Sequence, residues 1–433
     1  MATPSGGVNA ASGAIQPRRA RAATWDAVGA IIGGRERVSR MRCETMTDKP
    51  LVGIRVLDLG QGVAAPYCGL LLAQYGAEVV KVEPLSGDWM RGLGEARGDQ
   101  TAYSITYNWG KRGIAVDMKD PRGLEIVHRI AARSDVVLEN FRPGVVDRLG
   151  IGFEDVKALS PRILYVSVSG FGQSGPYVKR PGSDTVLQAF SGLVAINKDM
   201  DGRPHRVGTT MVDALTGLCA FQATSMALFG GVKEARLLDV SLLQSAALLL
   251  TPNIADFHLS GGPVPPLNAP TGSYRTSNGW IAVALVKEEN FAQLAKLVGL
   301  PDLPQAPRFA NFERRAQNLQ ELMAILQERF LTATTAEWAE RCTDAGVLAS
   351  PVNDCGDWLE DPQVQATSAY DMLEQPGVGV VPMPRLPGGL PFEGIAPGIG
   401  SDTRSVLVDH DYTAEEIGGL LDAGVVSEPG GAA

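Results

Sequence analysis

From Leu51 onward the chain repeats one local pattern: an apolar, β-branched run, a tight turn of small residues, then an apolar helical run. Ile54-Arg55-Val56-Leu57-Asp58-Leu59 reads as a buried strand, and Gly60-Gln61-Gly62-Val63-Ala64-Ala65-Pro66 as the turn. Cys68 to Tyr75 reads as a helix stopped by Gly76, and Glu78 to Glu83 as the next strand. Strand, helix and strand in so short a span form a βαβ unit, with parallel strands and a right-handed crossover. The unit recurs. Gly113 to Asp117 is strand-like, and Asp120-Pro121 is an N-cap followed by proline at the first helical position. Leu124, Ile126, Val127 and Ile130 then make a buried helical stripe, and Val136 to Leu138 and Ile163 to Val168 supply further strands. The alternation predicts an α/β fold, with a parallel sheet that carries helices on both faces.

After Asp213 the pattern changes. Leu215 to Phe229 and Ser241 to Leu250 read as helices buried on most sides. Gly261 to Gly272 is a Pro- and Gly-rich linker, after which Trp280 to Leu285 is a strand and Phe291 to Val298 a helix, opening a smaller α+β domain. Thr334-Thr335-Ala336-Glu337 and Thr413-Ala414-Glu415-Glu416 are capping boxes. Gln375 to Gly400, dense in Pro and Gly, reads as extended and irregular.

Composition excludes several functions. A net charge of −9 argues against nucleic acid, which needs a basic face. Cys43, Cys68, Cys219, Cys342 and Cys355 form no C-x-x-C pair, and no histidine stands at ligand spacing from them, so no metal is expected. Scattered thiols suit a cytoplasmic protein. No unbroken apolar run reaches the ~18 residues of a membrane span, so no membrane partner is expected. Residues 1–50 differ from the rest. Arg18, Arg19, Arg21, Arg35, Arg37, Arg40 and Arg42 sit among Ala, Gly and Ser. The stretch after Arg18-Arg19 is too polar for a signal sequence, so this segment reads as a disordered extension, or a start set upstream of Met41 or Met46.

Gly60-x-Gly62-x-x-Ala65 after a strand, with Glu83 ending the next, matches a dinucleotide-binding fingerprint. Pro66 changes how the following helix begins, and no paired His and Arg follow for hydride transfer. A βα turn that needs small residues for packing explains the same spacing.

A resemblance carries the reading further. Leu51-Val-Gly-Ile-Arg-Val-Leu-Asp-Leu59, Gly76-Ala-Glu-Val-Val-Lys-Val-Glu83, Asn108-Trp-Gly-Lys-Arg112, Glu139-Asn-Phe-Arg-Pro-Gly144, Ser169-Gly-Phe-Gly-Gln-Ser-Gly-Pro176 and Ser350-Pro-Val-Asn353 occur in order. Over about Leu51 to Val426 the chain resembles the class III coenzyme A transferases, the superfamily of formyl-CoA transferase, carnitine-CoA transferase and 2-methylacyl-CoA racemase. The resemblance implies a Rossmann-like large domain begun by residues 51–260, a linker and small domain over 261–345, a return segment over 346–427 completing the large domain, and a tail at 428–433. It also implies an interlocked homodimer, with acyl-CoA and a carboxylic acid as substrates and no permanently bound cofactor.

The family's catalytic aspartate corresponds to Asp213 in Thr210-Met-Val-Asp213-Ala-Leu-Thr-Gly217. Taken alone, an aspartate there is an ordinary N-cap. At a helix N-terminus its carboxylate would stay ionised and attack an acyl-CoA thioester, giving a mixed anhydride and then an aspartyl-CoA thioester. The racemase branch carries a histidine where this chain has Ser183, and serine cannot act as a second base at neutral pH, which favours the transferase. A racemase and a non-catalytic acyl-CoA-binding protein remain the alternatives. Two motifs depart from relatives. Ala269-Pro270-Thr271-Gly272-Ser273-Tyr274 replaces the formyl-CoA branch's glycine run, and Gly400-Ser401-Asp402-Thr403 replaces a Gly-Glu-His-Thr motif, expected to alter surface detail only.

By resemblance, Val63, Ala64, Val116, Lys119, Asn140, Phe141 and Arg148 line the coenzyme A path, Lys119 and Arg148 supplying charge for phosphates. Pro84 stands where relatives often have arginine, so one phosphate contact is missing or falls to Arg91. Asp184 and Gln188 are expected to face the acyl group.

Overall fold

A computed structural model describes residues 49–199, 202–264 and 268–430; the arginine-rich segment and the candidate start methionines lie outside the described residues. Strands β1 (Arg55–Asp58), β2 (Glu78–Glu83), β3 (Arg112–Val116), β4 (Val136–Glu139), β5 (Leu164–Ser169) and β6 (Arg236–Ser241) are mutually parallel. Strands β7 (Gly272–Arg275), β8 (Trp280–Ala284) and β9 (Leu348–Pro351) form a small antiparallel sheet, and β10 (Tyr370–Gln375) and β11 (Gly379–Pro384) a hairpin. The last strand, β12 (Val426–Ser427), returns antiparallel to β3, giving the order β12-β3-β2-β1-β4-β5-β6.

Neighbouring residues on a strand point to opposite faces, and each face has its own core. Leu57, Val80, Ile114 and Val137 pack with Ile126, Val127 and Ile130 and with Val406, Leu407, Ile417 and Val425 from the return segment. Val56, Val79, Val136 and Val166 pack on the other side with Cys68, Leu72, Val212 and Ala220. Each of the valine, leucine and isoleucine side chains among these contributes about 1.5–3 kcal/mol when fully buried.

Helices α1 (Ala64–Gln74), α2 (Pro121–Ala132), α3 (Asp184–Phe190), α4 (Met211–Phe229), α5 (Leu242–Leu249) and α6 (Thr251–Leu259) follow in chain order. Asp120 caps α2 by accepting from Arg122 N, and both capping boxes, at Thr334 and Thr413, are formed. Helix α4 is long and apolar enough to cross a membrane by composition alone, with hydropathy 1.3. Its Val212, Thr216, Ala220 and Thr224 are nevertheless buried in the fold.

Three sequence expectations need correction. Helices α4 and α5 are not buried on most sides: Met226, Phe229 and Leu248 are exposed, and α6, which follows them, buries no residue. The stretch after Gln375 is not wholly irregular, because Gly379–Pro384 pairs with β10. Gly400 to Thr403 is not surface detail. Gly113 N donates to Asp402 Oδ2 at 2.9 Å and the fully buried Thr403 hydroxyl donates to Ser427 O at 2.7 Å, tying β3 to the returning strand.

Candidate active site

The chain runs from β1 through β2 to β3 in one direction and then returns to place β4 on the other side of β1. A crevice opens at the carboxyl ends of strands where the order reverses. Here Asn140, after β4, clasps Gln61, after β1: Gln61 N donates to Asn140 Oδ1 at 2.8 Å and Asn140 Nδ2 to Gln61 O at 2.6 Å. A cavity of about 340 Å³ lies at this point, and Val63, Ala64, Asn140, Phe141, Ser183 and Asp213 are among its lining residues.

The β1–α1 turn is braced from below by four buried charges. Lys111 Nζ donates to Asp58 Oδ2 at 2.7 Å and to Pro66 O at 2.8 Å, while Asp58 Oδ1 accepts from Gly60 N at 2.8 Å. Lys81 Nζ donates to Gly60 O at 2.6 Å and to Asp88 Oδ2 at 3.1 Å, and the Asp88 carboxylate accepts from Gly62 N. Burial alone would raise the Asp58 carboxyl, but Lys111 and Lys81 outweigh it and hold it below its ordinary value. Gly62 has φ +76°, and a Cβ there would lie 2.5 Å from the Trp89 ring, which therefore covers the turn. This closes the dinucleotide reading. Glu83, the residue a ribose would need, is buried with both carboxylate oxygens accepting from Arg91.

Asp213 stands in the first turn of α4. Helix α4 reaches the cavity by close packing on α1: a Cβ at Gly217 would sit 2.7 Å from Ala64 O and 2.9 Å from the Tyr67 side chain, a space only glycine leaves open. The free N–H groups expected to stabilise Asp213 are taken by a neighbour. Asp184 Oδ2 accepts from Val212 N at 2.7 Å and from Asp213 N at 3.1 Å. Gln188 Nε2 donates to Asp184 Oδ1 at 2.5 Å, and Gln188 Oε1 accepts from Val207 N at 2.8 Å. Burial, and secondarily the Asp184 carboxylate, push Asp213 up to about 7. The expectation of a carboxylate held ionised by the helix is thus corrected: the dipole is spent on Asp184.

A nucleophilic carboxylate must be ionised, so with Asp213 in the role that the resemblance implies, the exchange rate should rise with pH through about 7 and level off above it. Asp184→Asn removes the like charge and should move that midpoint to lower pH. A pH–rate profile checks both, and an unmoved midpoint would mean Asp184 does not act through Asp213.

The structure thus gathers Val63, Ala64, Asn140, Phe141 and Asp213 around one cavity. Asp184 and Gln188 lie behind Asp213, buried, with their polar atoms turned to the backbone leading into α4. Val116 is 1% exposed and packs in the core, and Lys119 and Arg148 are exposed outside the cavity lining. Arg91 has no capacity left for a phosphate, because its guanidinium serves Glu83, Asp99 and Pro397 O. Sequence reasoning missed Gln61, Trp89 and Arg142, which also line the cavity. Arg142 could have been found inside Glu139-Asn-Phe-Arg-Pro-Gly144; nothing local marks Trp89.

Residues 51–403 match the model of CoA-transferase family III. The chain belongs to this family. It is 34% identical over 401 residues to the Homo sapiens succinyl-CoA:glutarate CoA-transferase, covering 88% of this chain and 90% of that one. It is 31% identical over 381 residues to the Agrobacterium fabrum succinate–glutarate CoA-transferase, covering 83% and 95%. The crystal structure of a CAIB/BAIF family protein from Brucella suis superposes with a TM-score of 0.75 at 30% identity, covering 84% of this chain and all of that one. The chain is a CoA-transferase, and the cavity at its switch point is the candidate active site.

Proposed function

We propose that this transferase moves coenzyme A from succinyl-CoA to a second carboxylic acid, with Asp213 as the covalent nucleophile. The observation that carries the reading is an Asp213 carboxylate with no hydrogen-bonding or ion-pair partner among the described residues, facing the cavity beside Val63, Ala64, Asn140 and Phe141. Its carboxylate attacks the thioester carbonyl and the C–S bond breaks, leaving a mixed anhydride and CoA thiolate. The thiolate attacks the aspartyl carbonyl and releases the donor acid. The acceptor carboxylate then displaces the thiolate from the aspartyl thioester, and the thiolate takes the acceptor's acyl carbon, restoring Asp213.

No histidine lines this cavity among the described residues, and His205 hydrogen-bonds Asp199 in an exposed segment, so a two-base racemisation is disfavoured. The test is incubation with succinyl-CoA and a panel of acids including glutarate, with new thioesters detected by mass spectrometry. Transfer to at least one acid is expected. Bound succinyl-CoA with no new thioester would favour a binding protein, and deuterium uptake at C2 of a 2-methylacyl-CoA without acceptor would favour a racemase.

We further propose an interlocked homodimer in the cytoplasm. Support for the dimer comes from the exposed Phe229, Leu248, Phe257 and Leu259 on α4 to α6, apolar surface of the kind a second chain covers. The free thiols of Cys68, Cys219, Cys342 and Cys355 suit a reducing compartment. Light scattering should give twice the chain mass of 45.8 kDa, and a monomer mass would sink the dimer.

A further inference from the structure

We infer that Gln173 is a positioning residue: with Glu139, Ser167 and Asp239 it forms a hydrogen-bonded row across the carboxyl ends of β4, β5 and β6 that fixes two walls of the Asp213 cavity relative to each other. The inference rests on the transferase reading for the reaction that those walls serve. Strand register builds the row. Glu139 on β4 stands beside Ser167 on β5, and Ser167 beside Asp239 on β6, so the three side chains share one face of the sheet. Gln173 closes the row from the loop that follows β5. Its Nε2 donates to Ser167 Oγ at 2.8 Å, and its backbone N donates to Asp239 Oδ2 at 2.9 Å. The Glu139 carboxylate accepts from the Ser167 hydroxyl and, at 2.8 Å, from Phe141 N. Gln173 lies outside the cavity lining and acts through these neighbours.

Each end of the row holds one wall. Phe141 lines the cavity from the loop after β4, and Gly170, Gly182 and Ser183 line it from the loop after β5. The second loop is pinched at its neck. A Cβ on Gly170 would sit 2.8 Å from Gly182 Cα, so a shift of the loop's first turn passes to Gly182 and Ser183. Ser183 directly precedes Asp184, whose carboxylate accepts from the N–H groups of Val212 and Asp213. Gln173 thereby reaches the helix that carries Asp213. An amide suits the place. Glu139 is buried with no ion-pair partner among the described residues, and burial pushes it up to about 7, with Asp147 and Asp239 adding to the rise. The Ser167 hydroxyl spends its one proton on Glu139, which leaves Ser167 Oγ to accept. The Gln173 amide supplies that hydrogen without adding a charge between two acids.

Two measurements on the full chain test the row, one of them without turnover. In Gln173→Met, hydrogen–deuterium exchange should quicken roughly 10-fold around Phe141, across Gly170 to Ser183 and at Val212 and Asp213, with the β10–β11 hairpin unchanged. Quickening confined to residues 170–176, or spread to the hairpin as well, would overturn the coupling. In exchange from succinyl-CoA, Gln173→Met should lower kcat roughly 10-fold and keep KM for succinyl-CoA within about twofold, because the donor binds but meets a misplaced carboxylate. Gln173→Glu isolates the donated hydrogen. Protonated, its carboxyl donates to Ser167 as the amide does; ionised, it cannot. Its rate should therefore match the parent's at pH 5 and fall to that of Gln173→Met at pH 8. A Gln173→Glu to parent ratio that does not change with pH would overturn the role, as would kcat within about twofold of the parent in Gln173→Met. A parent whose three segments respond as described but which transfers no CoA would uphold the row and sink the transferase reading instead.

Discussion

Asp213→Ala is expected to fold like the parent and to lose CoA exchange by roughly 10³-fold or more, because the covalent route has no substitute nucleophile. No other carboxylate lines the described cavity. The same variant should be more stable than the parent, and the sign follows from the raised carboxyl. In the unfolded chain Asp213 ionises near its ordinary value of 3.8, whereas in the fold burial pushes it up to about 7. Between those values the native state binds more protons than the unfolded state, so stability falls as pH rises through the window. Above about 7 the parent therefore carries the whole cost of a buried charge, and Asp213→Ala should gain on the order of 1 kcal/mol there. The panel assay with succinyl-CoA reads the first effect, and urea unfolding at pH 5 and pH 8 the second. Exchange persisting near parental rates in Asp213→Ala would remove the residue from the mechanism.

Lys111→Met should cost about 3–5 kcal/mol, the largest stability loss expected of any single substitution here, because it leaves Asp58 charged and buried. Both side chains are fully buried, 2.7 Å apart. Asp58 also holds Gly60 N, so the loss falls on the turn that faces the cavity. Asp58→Asn combined with Lys111→Met should recover much of the deficit, since it removes the stranded charge. Denaturant unfolding of the two variants and the Asp58→Asn control completes the cycle. A loss below about 1 kcal/mol for Lys111→Met would place the pair among weak surface bridges and contradict its burial.

Much of the parallel sheet was legible in the sequence, because parallel strands buried on both faces need unbroken apolar runs. Glu78 to Glu83 is read to the residue, and Pro121 starts α2 as its cap predicts. Strand β6 was not read. Arg236-Leu237-Leu238-Asp239-Val240-Ser241 lies at the sheet edge with mixed exposure and lacks that signature. Strand β12 is two residues long, and Thr403 and Asp117 help to hold the returning chain against β3. Helices α4 and α5 were read as buried because their composition is apolar, yet an apolar face says only that something covers it.

The sequence by itself determined the βαβ order, the small residues of the β1–α1 turn, the helix caps and, through its ordered motifs, Asp213 as the residue to watch. Those are local properties: periodicity, turn chemistry and capping act within a few residues. Tertiary structure alone decided that Asp184 takes the helix N–H groups and that burial, with the Asp184 carboxylate second, raises Asp213. It alone spent Arg91 on Glu83 and left Arg142 unpaired in the lining of the cavity that Asp213 also lines. A side chain's charge state and free valence depend on which distant groups fold against it, and burial, which sets the strength of those pairings, is a property of the whole packed chain.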